Sequence, residues 1–323
     1  MLKHSLRHIC QLIIAALLIL TLAPISQAEE LSVAKSEPGM YSVELSRGHE
    51  SYQSPLVQIS DNGALVRLDG ISQLSGDISR LSVSGGHNYR LSSSTMLLLS
   101  SNMQDSRSAN APDLDFRTLS FDSVISMQAM GGSLGFGPGM QWISVSGQLF
   151  RQRNALHVDW TVAEIDQGFS SYMLEYGVNK HAEQFRDFNG ISTLGVYHRQ
   201  FAKPIQGITE ASIEIGASRE HNTQQAPSMS NTLYYSRLTM DWEALFLNWS
   251  VSWTHQRSRF DAPLLVGMRA RRDLFNSLDF SAIHALRPQT SLRLDLSYFH
   301  NKANSALYES RYRGTMINLV QQF

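Results

Sequence analysis

The sequence predicts an all-β fold, a transmembrane antiparallel β-barrel of about 14 strands, with about 12 or 16 strands as alternatives. Three observations support this prediction. Apolar and polar residues alternate in segments of roughly ten, the N-terminus is typical of a secretory signal peptide, and the last residue, Phe323, is aromatic. Alternation with a period of two indicates strands that have two chemically different faces.

The composition excludes several classes of protein. The chain has 323 residues, of which 42% are hydrophobic and 17% are charged, a formal net charge of −1 and one cysteine. A disordered chain, a disulfide scaffold and a polybasic nucleic-acid binder are therefore excluded, and we expect no nucleic acid partner. After residue 28 no apolar run reaches the length of a membrane-spanning helix.

The first 28 residues form the predicted signal peptide. A basic start is followed by the apolar run Leu12–Leu22 and by the small-residue exit Ser26-Gln27-Ala28. Cleavage after Ala28 leaves Glu29 as the first residue of the mature chain. The alternative, a transmembrane anchor, is disfavoured because the apolar run is short. The only cysteine, Cys10, leaves with this segment, so thiol catalysis and thiolate metal sites are excluded.

The clearest pair of strands lies within residues 234–253. Apolar side chains occupy every second position on both sides of Glu243-Ala244. A two-residue turn at Glu243-Ala244 pairs Trp242 with Leu245 and places both apolar rows on one face.

A soluble β-sandwich would show the same alternation. The signal peptide, the terminal aromatic residue and the positions of three tryptophans favour the barrel, because Trp160, Trp242 and Trp253 fall on the apolar face near predicted strand ends. In a barrel the charged face lines the interior. The predicted lumen-lining residues are Glu210, Glu214, Arg237, Asp241, Arg293 and Asp295. Their mixed signs predict an interior laced by ion pairs, or a narrow polar channel, rather than a strongly ion-selective pore.

Fourteen segments can be counted back from Phe323 to residue 64, and the first two are 64–74 and 78–91. The predicted domains are therefore the signal peptide (1–28), a short periplasmic extension (29–62) and the barrel (63–323). A plug inside the lumen is the alternative for residues 29–62. If the C-terminus is periplasmic, short turns lie on the periplasmic side and longer links, including 257–275, lie outside.

The sequence contains two patterns that resemble catalytic motifs, and neither predicts a catalytic site. Gly131-Gly132-Ser133-Leu134-Gly135 matches the G-x-S-x-G pattern, but that motif needs a strand-to-helix elbow and no helical pattern follows here. His157 and Asp159 share one face of a strand, where a solvated pair is the simpler interpretation. The histidines are scattered, so no metal site is predicted. We therefore expect no enzyme activity and no cofactor.

The predicted outer link 257–275 is rich in arginine. Its basic residues are Arg257, Arg259, Arg269, Arg271 and Arg272. Guanidinium groups bind phosphate well, so this link is a candidate site for lipopolysaccharide or an acidic partner. The alternative is a salt-bridged link, closed by Asp261 and Asp273, that rests on the membrane surface.

The C-terminal third suggests a family. Arg271-Arg272-Asp273, then Asn304-Ser305-Ala306-Leu307-Tyr308 and a last strand ending at Phe323, resembles the C-terminal barrel of the surface lipoprotein assembly modifiers. The resemblance implies a barrel of 14 strands that helps to deliver specific proteins across the outer membrane.

These observations predict a non-enzymatic protein of the outer membrane of a Gram-negative bacterium. The expected function is a conduit or assembly factor for a secreted or surface-exposed protein cargo. A passive channel for small solutes is the alternative, followed by a barrel lipid hydrolase. The expected partners are outer-membrane lipids, lipopolysaccharide, the cargo, and the barrel assembly machinery that recognises Phe323.

Overall fold

The structure is a computed structural model that describes residues 36–59, 65–109, 115–129, 131–164, 168–205, 207–224, 227–263, 269–304 and 308–323. The predicted signal peptide and its cleavage between Ala28 and Glu29 lie outside these residues, as do residues 29–35 and 60–62 of the predicted extension. Within the described ranges, no helix has both the length and the apolar character needed to cross a membrane.

Nearly all described residues belong to fourteen strands. These are β1 (Ser36–Ile59), β2 (Leu65–Arg90), β3 (Thr95–Ser108), β4 (Phe116–Ala129), β5 (Gly132–Val145), β6 (Gln148–Glu164), β7 (Gly168–His181), β8 (Gly190–Ile205), β9 (Ile208–Asn222), β10 (Asn231–Ala244), β11 (Leu247–Phe260), β12 (Arg272–Arg287), β13 (Thr290–Ala303) and β14 (Ser310–Gln322). Two short 3-10 helices, Glu183–Phe188 and Pro227–Met229, lie in the links after β7 and β9.

Each strand pairs antiparallel with the next, and β1 pairs with β14 to close the barrel. The predicted fold class and the strand number of 14 are therefore confirmed, rather than 12 or 16. Closure leaves no open sheet edge, which is the condition for crossing a bilayer with strands. Strands about 4.8 Å apart and tilted by about 40° give a backbone diameter of about 28 Å for this number.

The prediction of a periplasmic extension before the barrel is wrong for the described residues. β1 occupies Ser36–Ile59, and its residues 42–53 pair with β14. The predicted strands 64–74 and 78–91 are one strand, β2. The total of 14 was right because these two errors cancel. The apolar row of β1 ends at Leu45 and continues as Arg47 and His49, so the alternation is too short to be recognised in the sequence.

The hairpin of β10 and β11 turns two residues later than predicted. Its turn is Leu245-Phe246, and Trp242 pairs with Trp249 instead of Leu245. Both turn residues have positive φ, 55° and 62°, the conformation of a tight hairpin turn, although polar residues and glycine usually occupy it. The register changes by an even number of positions, so the predicted faces are unaffected.

Short turns lie at one end of the barrel and longer links at the other. The strand ends leave two residues between β10 and β11 and between β12 and β13, but eleven between β11 and β12. Short turns and long links alternate along the chain as predicted. One exception is the two-residue turn Ser146-Gly147 between β5 and β6, which lies at the long-link end. Beyond Gln53 of β1 and before Ile78 of β2, the described pairings join only these two strands, so their hairpin continues past its neighbours at the long-link end.

Candidate functional site

The two faces of the barrel wall differ in chemistry, and their contacts show which face lies inside. Side chains converge on the concave side of a closed sheet. Arg293 of β13 reaches Glu44 of β1 across β14, and Asn179 of β7 reaches Glu220 of β9 across β8. The face that carries these residues is therefore the inner face. The opposite, outer face carries exposed apolar side chains such as Leu174, 69% exposed.

The inner face carries an excess of carboxylates. Residues that pair directly across neighbouring strands share a face, and the pairings assign thirteen carboxylates and six arginines with described side chains to the inner face. The acidic residues are Glu44, Glu50, Asp122, Asp159, Glu175, Glu210, Glu214, Glu220, Asp241, Glu243, Asp273, Asp279 and Asp295. The basic residues are Arg80, Arg90, Arg151, Arg153, Arg237 and Arg293. Both signs occur on the inner face, as they do among the six residues predicted to line the lumen, and carboxylates are about twice as numerous as arginines.

The carboxylates near the closure of the barrel are paired with arginine. Arg293 donates through Nη2 to Glu44 at 2.8 Å and through Nε to Asp295 at 2.9 Å. Asp295 also accepts from Asn318 Nδ2 at 2.7 Å and from Ser281 Oγ at 2.7 Å. Asn318 is only 2% exposed, and this group, here called the seam cluster, joins β12, β13, β14 and β1 by part-buried polar contacts.

A second group lies nearer the long-link end of the same wall. Arg80 pairs with Glu50, and the Tyr312 hydroxyl donates to the same Glu50 carboxylate at 2.7 Å. Arg80 also donates to Ser106 at 3.3 Å. Side chains of β14, β1, β2 and β3 are thus joined by hydrogen bonds, which stabilises the closing strands and leaves each carboxylate of this wall with an arginine partner.

Most carboxylates on the remaining walls have no ion pair. Two exceptions are Glu175, which pairs with Arg153, and Glu214, which lies 4.0 Å from Arg237. Glu210 and Asp241 stand directly opposite each other on β9 and β10, an arrangement that is unfavourable between like charges. Among the described residues, seven inner carboxylates have no ion pair within 4.0 Å. They are Asp122, Asp159, Glu210, Glu220, Asp241, Glu243 and Asp279.

Strand β5 makes room for two of these carboxylates. Gly135 pairs with Asp159 and Gly139 pairs with Asp122, all on the inner face. A Cβ atom at Gly139 would come within 2.5 Å of Asp122 Oδ1. The glycine run therefore allows both aspartates to lean over β5, one from each side.

All six residues predicted to line the lumen lie on the inner face, Glu210, Glu214, Arg237, Asp241, Arg293 and Asp295. The structure brings Arg293 to Asp295 and Arg237 near Glu214, and places Glu210 opposite Asp241. Sequence reasoning missed Glu44 and Glu50 because it left β1 outside the barrel. It also missed Asp122, whose signal was its alignment with Gly139, one of the alternate glycines of β5.

The residues of the two motifs that resemble catalytic ones lie in the wall of the barrel. Ser133 lies in β5, where its hydroxyl is 2.8 Å from that of Ser126, and no helix follows. His157 and Asp159 are neighbours on the inner face without a hydrogen bond between them among the described contacts. No group of three or more candidate metal ligands occurs within the described residues.

The predicted arginine cluster is divided by the structure. β11 extends to Phe260 and β12 begins at Arg272, so Arg257, Arg259 and Arg272 are strand residues of the outer face rather than of one link. Arg271 instead donates to Asp273 at 2.9 Å and stacks 3.4 Å from the centroid of the Tyr308 ring. Arg269 lines a small cavity together with Arg272. A single basic loop is therefore the wrong description.

The outer face is basic near the long-link end. Ten cationic side chains lie there beyond the apolar band, against two carboxylates, Asp77 and Asp105, within the described strands. The cations, here called the basic belt, are Arg107, Arg117, Lys180, Arg219, Arg257, Arg259, Arg272, Lys302, Arg311 and Arg313. At the other end, Trp160, Trp242 and Trp249 lie on the outer face near the short turns, as in an interfacial aromatic girdle. Trp253, predicted near a strand end, lies in the middle of β11.

Comparison with known proteins gives matches in structure only. No family model and no curated protein sequence matches the chain. The barrel is similar to Pseudomonas aeruginosa OccK1 (OpdK), with 8% identity over 88% of this chain and 98% of that chain and a TM-score of 0.42. It is also similar to Salmonella typhi OmpF in complex with daunomycin, with 10% identity, 90% and 98% coverage and a TM-score of 0.47. A doubly substituted OccD1 (OprD) gives 6% identity, 92% and 98% coverage and a TM-score of 0.42.

The predicted resemblance to surface lipoprotein assembly modifiers is wrong. The structural neighbours are porin-like outer-membrane barrels and not members of that family. The residues that suggested it have a local role, since Asn304 accepts from the Arg272 backbone N–H and donates to the Ala270 carbonyl, each at 2.8 Å. These contacts fasten two links at the rim of the barrel, a requirement of barrel construction rather than of one family.

Proposed function

We propose that the protein is a passive channel for small polar solutes in the outer membrane and that it prefers cations. The observation that carries the proposal is the inner face, which is polar and has an excess of carboxylates over arginines. Water and hydrated ions are compatible with such a surface, and a wall of one net sign concentrates solutes of the opposite sign.

The size of the barrel supports a solute path. A backbone diameter of about 28 Å exceeds that of eight-stranded barrels, whose interior is filled by side chains, and approaches that of porins with aqueous channels. Most inner-face residues flanking the charges are short, as with Ser212, Ser250 and Ser252. Small polar solutes suit this lining better than apolar ones.

The distribution of free carboxylates supports cation preference. In the described part of the barrel, the arginines of the inner face are mostly paired, while Glu210, Asp241 and Glu243 lie together near the short-turn end. A passing cation relieves the repulsion between Glu210 and Asp241, whereas an anion increases it. The attraction weakens with salt because exposed charges are screened within about 10 Å at 0.1 M.

The conduit hypothesis loses its foundation, because it rested on the corrected family resemblance. The proposal keeps a secreted precursor cleaved between Ala28 and Glu29, and assembly by the barrel machinery through Phe323. The Phe323 backbone N–H donates to the Tyr41 carbonyl at 2.9 Å, so the last residue is part of the β14–β1 closure. Deleting it is expected to reduce the amount of assembled barrel.

The test is conductance in planar lipid bilayers under a steep KCl gradient. We expect steady single-channel currents and a reversal potential of the sign given by cation selectivity. The variant Glu210→Gln/Asp241→Asn/Glu243→Gln should keep the currents and move the reversal potential towards zero, because three unpaired charges leave the wall.

The matched control is Asp77→Asn/Asp105→Asn, which removes carboxylates from the outer face and should leave the reversal potential unchanged. Absence of steady current from the folded wild-type protein would contradict a passive channel. Currents that favour anions, or equal shifts in both variants, would contradict the role of the inner carboxylates.

A further inference from the structure

A groove on the outer face of the barrel lies across β8 to β11. Its volume is about 780 Å³. The lining residues that belong to the outer face are Gly195, Tyr197, Ile215, Ala217, Tyr234, Ser236, His255, Arg257 and Arg259. This space is separate from the interior of the barrel.

The groove results from short side chains between long ones. Gly195, Ala217 and Tyr234 are consecutive partners across β8, β9 and β10, so two positions of this row have almost no side chain. In the next row towards the short turns, Tyr197 and Ile215 form the continuing floor. The surface is therefore concave, apolar and aromatic, as an acyl chain requires.

Two arginines stand where the groove meets the basic belt. Arg257 pairs with Tyr234 and Leu274, and Arg259 lies two residues further towards the long links. Neither has an ion pair among the described residues. Their neighbours differ, since Arg219 pairs with Asp261 and Arg271 pairs with Asp273. Arg257 and Arg259 therefore remain available for an external anion.

We propose that this groove binds the phosphorylated glycolipid of the outer leaflet, the lipid A portion of lipopolysaccharide. One phosphate lies between Arg257 and Arg259, and one acyl chain lies along Tyr197, Ile215 and Ala217. Guanidinium groups bind phosphate oxygens in a bidentate manner, and the apolar floor begins directly below them. The long-link end, which faces outside in barrels of this type, meets the leaflet that carries this lipid.

The occupant follows from the charge of the two ends. Cations of the basic belt are concentrated at the long-link end, while the short-turn end carries aromatic residues, including Trp242 and Trp249. A phospholipid of the inner leaflet would place its headgroup at the wrong end of this groove. The inference concerns the outer surface and is independent of conduction through the lumen.

The test is native mass spectrometry of the folded protein in neutral detergent, with bisphosphorylated lipid A as the probe. We expect a retained complex of one lipid per protein. Removing both phosphates from the probe, or substituting Arg257→Gln/Arg259→Gln, should weaken binding about tenfold or more, because hydrogen bonds between charged groups are lost. Ala217→Trp should also prevent binding by filling the groove while both arginines remain.

The matched control is Arg311→Gln/Arg313→Gln, which removes two outer-face arginines at the same end of β14 that do not line the groove. It should bind lipid A as the wild-type protein does. If both double variants bound lipid A equally weakly, binding would depend on the total charge of the basic belt, and a specific site in the groove would be overturned. Equal binding of dephosphorylated and bisphosphorylated lipid A by the wild-type protein would overturn the proposal without any variant.

Discussion

The inner and outer faces of this barrel have opposite charge. Among the described residues, thirteen carboxylates outnumber six arginines on the inner face, whereas the ten cations of the basic belt outnumber the two carboxylates, Asp77 and Asp105, at the same end of the outer face. Both surfaces come from the same strands, and in β11 consecutive residues alternate between them. The formal net charge of −1 for the whole chain therefore describes neither surface.

This separation explains how one alternating pattern serves two environments. The outer face needs apolar residues within the bilayer and cations where phosphate headgroups begin. The inner face needs charges that are either paired, as in the seam cluster, or hydrated. The polar and the apolar positions alternate equally regularly in the sequence. Only the pairing of residues across neighbouring strands shows which charged side chains are in contact.

The largest expected effect comes from placing a charge on the wrong face at the middle of β11. Trp253→Arg puts a guanidinium on the outer face within the apolar band and should destabilise the barrel by about 2–4 kcal/mol. Urea unfolding of the protein in lipid vesicles measures the change. The matched variant is Ser252→Arg, one residue away on the inner face, where the new cation lies opposite Asp279. It should cost far less.

The cost of an outer-face arginine also depends on how deep it lies in the bilayer. Trp249 lies on the same face as Trp253 but near the short turn, so Trp249→Arg should cost only about 1 kcal/mol or less. Equal losses for Trp253→Arg and Ser252→Arg would show that the assignment of faces is wrong. Equal losses for Trp253→Arg and Trp249→Arg would contradict the position of the apolar band.

The second expected effect distinguishes paired from hydrated charges on the inner face. Arg293→Leu leaves Glu44 and Asp295 without their cation in a partly buried setting and should destabilise the closed barrel by about 2 kcal/mol. Arg237→Leu is the control, since Arg237 is half exposed and 4.0 Å from Glu214, and should cost below about 1 kcal/mol. The temperature at which each folded form unfolds on gels ranks the variants.

The sequence was sufficient for the fold class because the alternation in β6 to β14 is long and regular. It was insufficient for β1, whose outer row changes from Leu45 to Arg47 in the middle of the barrel and resembles a polar extension. The turn at Leu245-Phe246 was missed because apolar turn residues are unusual in water, but acceptable where a hairpin meets the membrane surface. Local rules cannot detect such effects of environment.

The lumen charges illustrate a second limit of sequence. Alternation placed Glu210, Asp241, Arg293 and Asp295 on one face correctly, but it gave no information on partners. The Arg293–Glu44 pair joins residues from opposite ends of the chain, so it appears only after closure is known. Whether a carboxylate has an arginine partner therefore depends on the register of the strands.

The third expected effect compares glycines on the two faces. A Cβ at Gly137, on the inner face, would lie 1.7 Å from the backbone oxygen of Ser123, whereas a Cβ at Gly195, on the outer face, meets only Leu174 at 3.5 Å. Gly137→Ala should therefore destabilise the barrel by about 1–2 kcal/mol through displacement of β4. Gly195→Ala should be neutral in urea unfolding. A neutral Gly137→Ala would contradict the close approach of β4 and β5.

The smallest expected effect concerns pH at the long-link end, where Asp261 fastens its link to β9. Hydrogen bonds from Arg219, one of 2.7 Å, lower the pKa of the Asp261 carboxyl below its ordinary value of 3.8. A lowered pKa means that the contact contributes fully above the ordinary value and disappears as the pH falls through the value in the folded protein. The contribution is below about 1 kcal/mol because both groups are exposed. The measurement is cleavage of the link 261–271 by an acid-active protease, corrected for the pH dependence of the protease itself. Cleavage of the wild-type protein should accelerate only in strongly acidic solution. Cleavage of Asp261→Asn should be fast and nearly independent of pH. Identical pH profiles for the two proteins would show that the Arg219–Asp261 contact does not hold the link.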